Sequence, residues 1–212
     1  MSRFTTRGGD SLSDAELLEL ILFRTLPKCH VGPIADRLLD TFGDLAQVFG
    51  AEMHRLEDVK GIGPAVAADL QLIATTCGRI AKARVQRGPI LSDWSALLDY
   101  CRSTMAHRET EQVRILYLNA KNELIADEVQ SEGTVDHAPA YPREIVKRAL
   151  HHSATALILV HNHPSGDPTP SGGDIAMTQD VVDAAATLNI TIHDHLIIGK
   201  NGHLSFKAEG YL

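Results

Sequence analysis

The sequence predicts two differently built parts: an all-α domain over residues 1–88 and an α/β domain with a mixed sheet over residues 89–212. Three observations carry this. Before Gly88, apolar residues recur at helical spacing between glycines and capping residues. After Pro89, apolar and β-branched runs alternate with helical segments, the pattern of a sheet covered by helices. Between them, the pair Gly88-Pro89 in "QRGPILSDW" stops a long helical pattern, which makes it the natural boundary.

The first helix read is "SLSDAELLELILFRT". Ser13 and Glu16 stand at capping-box spacing ahead of an apolar stripe of Leu17, Leu18, Ile21 and Leu22. Helical periodicity returns in "GPIADRLLDTFG", "DLAQVFG" and "GPAVAADLQLIATTCGRIAKARVQR". Past the boundary, "SDWSALLDYCRSTMAHR" is one more helix. "QVRILYLN" and "ELIADEVQS", joined by the short "AKN", form a hairpin. Pro142 opens a helix in "YPREIVKRALHH", and "TALILVH" is a buried strand. A helix in "GGDIAMTQDVVDAAATLN" and strands in "ITIHDHLIIG" and "GHLSF" complete the chain.

Composition narrows the function classes. At 44% hydrophobic residues the chain can bury a core, yet no run approaches the roughly 18 apolar residues of a membrane helix. The start "MSRFTTRGGDSLSD" lacks the apolar stretch of a secretory signal, so the expectation is a cytoplasmic protein with no membrane partner. Three scattered cysteines, Cys29, Cys77 and Cys101, form no C-x-x-C pair and indicate neither a disulfide framework nor a thiolate metal site. Net charge is −7, all of it from the second part: residues 1–88 hold 11 basic against 11 acidic residues, residues 89–212 hold 9 against 16. Any nucleic-acid contact therefore belongs to the neutral first part.

Chemistry concentrates in "LILVHNHPSGDPTPSGGDI". Residues two apart on a strand share a face, so His161 and His163 project together while Asn162 points away. Pro164 ends the strand, and the loop returns Asp174 to the start of the next helix. Two imidazoles and a carboxylate suit Zn²⁺, and three protein ligands leave one position open, as in catalytic rather than structural sites. Taken singly, an H-x-H step arises by chance and Asp174 also suits a helix N-cap.

The spacing H-x-H-P, six residues, S, two residues, D is met by His161, His163, Pro164, Ser171 and Asp174, and it resembles the JAMM (MPN-plus) metalloprotease signature. "GTVDHAPAYPREIVKRAL", "HDHLIIG" and "SFKAEGYL" add similarity to the RadC-like family, which joins a helix-hairpin-helix domain to a JAMM-like domain. One departure is "LPKCHVGPIADRLL", which lacks the glycine-rich connection usual there. The resemblance implies a zinc-dependent hydrolase acting on a peptide or isopeptide bond, with His161, His163 and Asp174 as ligands. It also implies Glu111, ahead of "QVRILYLN", as general acid/base, with Glu109 its nearest competitor. Ser171 would donate to the oxyanion, and His195 would support the ligands rather than join them. His137, His151, His152 and His203 read as surface or packing residues.

"LEDVKGIGPAVAADLQLIA" places Gly61 and Gly63 between helical runs, with Val59 and Ile62 as apolar anchors. It resembles the hairpin of helix-hairpin-helix modules, which implies DNA phosphate contact at Lys60, Gly61 and Gly63; a purely structural hairpin remains open. The alternative function is thus a DNA-associated repair or recombination accessory protein whose metal site is structural or vestigial. A nucleobase deaminase is disfavoured, because its H-x-E and P-C-x-x-C elements are absent.

Overall fold

The computed structural model describes residues 2–26, 30–133 and 140–212; Cys29, His137 and part of the "LPKCH" connection lie outside them. It divides into two compact units, Met1–Cys77 and Gly78–Leu212.

The first unit is helical: α1 (Ser2–Arg7), α2 (Asp14–Thr25), α3 (Gly32–Phe42), α4 (Leu45–Gly50), α5 (Met53–Glu57) and the start of α6 (Pro64–Val85). The predicted capping box opens α2: Glu16 N donates to Ser13 Oγ at 3.2 Å and Ser13 N to Glu16 Oε2 at 2.9 Å. Asp44 caps α4 by accepting from Gln47 N at 2.8 Å. Leu18, Leu22, Ile34, Leu38, Val48, Leu56, Val66 and Leu70 close the core. Val59 and Ile62, the expected anchors of the α5–α6 turn, are buried in it.

In the second unit, α7 (Trp94–Met105) leads to β1 (Gln112–Leu118), β2 (Leu124–Glu132), α8 (Pro142–His151), β3 (Ala156–Asn162), α9 (Gly172–Ala186), β4 (Thr191–Ile198), β5 (His203–Ser205) and α10 (Phe206–Glu209). The five strands lie in the order β2-β1-β3-β4-β5. The β1–β2 hairpin and the β1–β3 and β4–β5 pairs are antiparallel, whereas β3 and β4 are parallel, joined through α9. The sheet is therefore mixed, as the sequence predicts. "GHLSF" is only partly strand, because Phe206 already begins α10.

Every residue of β3 is buried, since helices cover both faces. Leu97, Tyr100, Cys101 and Met105 of α7 pack on Leu116, Ile158, Val160 and Leu196. On the other face Ile145 and Ala149 of α8 and Val181 and Ala185 of α9 pack on Val113, Ile115, Leu157 and Leu159. Asp127 of β2, its side chain fully enclosed, accepts from Lys82 Nζ at 2.7 Å, from Arg114 Nη1 at 2.8 Å and from the Tyr100 hydroxyl. Burial alone would raise its carboxyl, but the Arg114 guanidinium and Lys82 hold it below the ordinary value. Cys101 is a buried thiol, pushed up to about 12 by burial, which makes it chemically quiet.

One irregularity matters for the site. Leu157 pairs with Ile192, but Ile158 pairs with Asp194, so His193 is an extra residue in β4. From there on, Asp194, Leu196 and Ile198 face α7, while His195 faces the side of α8 and α9 together with Leu159 and His161.

Candidate metal centre

The centre is built where β3 ends and α9 begins. Apolar "ALILV" fixes β3 in the middle of the sheet, and its last residues carry His161, almost wholly buried, and, just beyond the strand, His163. Pro164 and the following turn then lead to α9. Its N-cap is Ser171 rather than Asp174: Asp174 occupies the third helical position and completes a capping box. Ser171 N and Oγ each donate to Asp174 Oδ2 at 2.7 Å, and Asp174 N returns a bond to Ser171 Oγ at 3.1 Å. The cap thus fixes the carboxylate in place.

One ligand-type atom from each of His161, His163 and Asp174 lies within 4.8 Å of the others. His161 Nε2 and His163 Nε2 are 3.0 Å apart, and Asp174 stands 3.3 Å from the first and 3.6 Å from the second. The other nitrogen of His163, Nδ1, donates to the Asp167 carbonyl at 2.7 Å, so Nε2 is the nitrogen that turns inward. Three acceptors aimed at one point repel one another unless a cation lies among them, and this donor set fits a divalent zinc ion. Protons answer part of that demand. The hydrogen bond with Asp174 raises His163 above the usual imidazole value despite burial. For Asp174, burial acts upward, yet the facing His161 and His163 hold the carboxyl far below the carboxylate range.

Glu111 immediately precedes β1 and is mostly buried. Val113 pairs with His161 in the antiparallel β1–β3 ladder, so alternation brings Glu111, two residues earlier, to the same face beside His163. Its charge adds to the raising of His163. Asn162, between the two histidines, fixes this approach: its Oδ1 accepts from Gln112 N at 2.9 Å and its Nδ2 donates to the Thr110 carbonyl at 3.1 Å. It grips the chain on either side of Glu111. Sequence reasoning missed this role, although an Asn inside an apolar run already demands buried partners. The geometry brings together His161, His163, Asp174, Ser171 and Glu111; Lys60, Gly61 and Gly63 belong to the first unit.

His195 is fully buried behind His161, with Nε2 2.7 Å from His161 Nδ1 and the ring of Phe206 4.5 Å away. Burial pushes its imidazole well below the ordinary value. His193 lies apart, bonded to Asn122 Oδ1 at 2.6 Å. Asp194 accepts from Ser205 Oγ at 2.5 Å and Lys207 N at 3.0 Å, which ties the closing segment to β4 and seats Phe206 against His195. His152 pairs with Glu128 and His203 with Arg102, which accounts for both as packing residues.

A five-stranded mixed sheet with an H-x-H at the end of a strand and a carboxylate in the first turn of the crossover helix defines a domain of the JAB type, related to the JAMM proteins. Residues 91–211 match the RadC-like JAB domain, residues 1–68 match the UPF0758 N-terminal domain, and the chain belongs to the RadC-like family. It is 59% identical over 210 residues to a UPF0758 protein of Ruegeria pomeroyi, covering 99% of this chain and 94% of that relative. To a UPF0758 protein of Rhodobacter capsulatus it is 58% identical over 210 residues, covering 99% and 98%.

Proposed function

We propose that the protein is a zinc-dependent hydrolase of the JAMM type that cleaves an amide or isopeptide bond. The observation that carries this reading is the convergence of His161 Nε2, His163 Nε2 and the Asp174 carboxylate on one point, with Glu111 on the same face. A zinc ion held by these three would lower the pKa of a water it binds to about 7 and polarise a substrate carbonyl. Glu111, which is not among the three, takes the proton of the attacking water and delivers it to the leaving amine. Asn162 keeps that carboxylate on the histidine face. Ser171 already gives its proton to Asp174 Oδ2, so its first task is to hold a ligand; donation to an oxyanion requires its hydroxyl to turn from that partner.

The test pairs metal content with hydrolysis of a peptide library, scored by mass spectrometry. His163→Ala should lose both zinc and cleavage. Glu111→Gln should keep the zinc but lose about 10²- to 10⁴-fold in rate. Full cleavage by His163→Ala would sink the reading.

A second reading, DNA contact through Lys60, Gly61 and Gly63, has one observation in its favour. Lys60 and Gly61 are exposed, and a Cβ added at Gly63 would meet nothing within 4 Å, so packing does not account for that glycine. Binding to duplex DNA that weakens steeply with salt and again in Lys60→Glu supports it; salt-independent or absent binding removes it.

A further inference from the structure

Thr178 stands one turn beyond Asp174 on α9, almost completely buried. Its hydroxyl oxygen is 2.6 Å from the Asp174 carbonyl oxygen and 2.6 Å from His195 Nδ1. A carbonyl has no proton to give, so the hydroxyl donates to Asp174 and turns only lone pairs toward His195. Were the hydroxyl proton directed at His195 instead, two acceptor oxygens would face each other at 2.6 Å. His195 Nδ1 therefore carries hydrogen. Fully buried between a hydroxyl and an imidazole, the ring is uncharged, so hydrogen on Nδ1 leaves Nε2 bare to accept from His161 Nδ1 at 2.7 Å. His161, protonated on Nδ1, then presents its Nε2 lone pair to His163 and Asp174. The chain of bonds has only one consistent direction.

We propose that Thr178 and His195 are positioning residues that lock His161 in the Nδ1–H tautomer and so aim its Nε2 lone pair at the metal centre. The use of that lone pair rests on the zinc reading above; the lock itself does not. Orienting groups of this kind set the tautomer and basicity of a ligating histidine. Here the order originates in a helix carbonyl, four residues from the hydroxyl that reads it.

The experiment uses the metal-free full chain with ¹⁵N-labelled histidine, observed by NMR at mildly alkaline pH, alongside zinc affinity from chelator competition. In the native chain His161 and His195 should both appear protonated on Nδ1. Thr178→Val should bring His195 into the Nε2–H form and weaken zinc binding about 10- to 100-fold, whereas Thr178→Ser retains both properties. Finding His195 as Nε2–H in the native chain overturns the proposal, as does zinc binding by Thr178→Val at native strength. The native spectra decide the point even where the valine variant fails to fold. A native chain that takes up no zinc overturns the metal reading and the purpose of the lock, while the nitrogen spectra still show whether the lock exists.

Discussion

On the proposed zinc reading, His163 is where proton and metal compete. Its hydrogen bond with Asp174 favours the imidazolium, so in the metal-free protein this interaction stabilises the fold fully below the ordinary imidazole value of about 6.5 and fades as pH rises through the higher folded value. Zinc must displace that proton. Its affinity should therefore climb with pH across the same window and level off above it, measured by chelator competition from about pH 6 to about 9. A flat profile would contradict the geometry. Asn162 makes a separate claim at this scale. Asn162→Ala leaves Gln112 N and the Thr110 carbonyl without partners, which should cost about 1–3 kcal/mol in chemical denaturation.

Among the elements, the α5–α6 turn separates two glycines that look alike in sequence. Gly61 has φ +102°, and a Cβ there would come within 3.1 Å of Ile34 Cδ1, so Gly61→Ala should destabilise by about 1–3 kcal/mol. Gly63 has neither constraint, and Gly63→Ala should leave the melting temperature nearly unchanged. Local elements of this kind were largely legible. The Ser13–Glu16 box, Pro142 at the start of α8, the "AKN" hairpin and the H-x-H-P loop each carry their signal within a few residues. Helices α1 and α10 were not, because they are six and four residues long and show less than two turns of periodicity. Thr178 also escaped notice: on paper it is an ordinary helical threonine, and its meaning comes from a histidine 17 residues away. Glu111 was placed by resemblance, since nothing local distinguishes a strand-start carboxylate from a solvated one.

Across the whole molecule, the proposed ligands all belong to the second unit, so metal binding should register there. Hydrogen exchange with and without zinc should show slowing in β3 and the first turns of α9 and none in α2, α3 or α4. At zinc 100-fold above its dissociation constant the protected segments gain up to about 2.7 kcal/mol. Equal slowing in both units would mean that the chain responds as one body. The extra residue in β4 has a consequence at this scale as well. Strand parity makes the sheet's two sides interchangeable by a single residue: with His193 paired regularly opposite Ile158, β4 would send the Asp194 carboxylate toward His161 and turn the His195 imidazole into the apolar layer under α7. The bulge, rather than the side chain that fills it, is thus what keeps the imidazole of His195 behind His161.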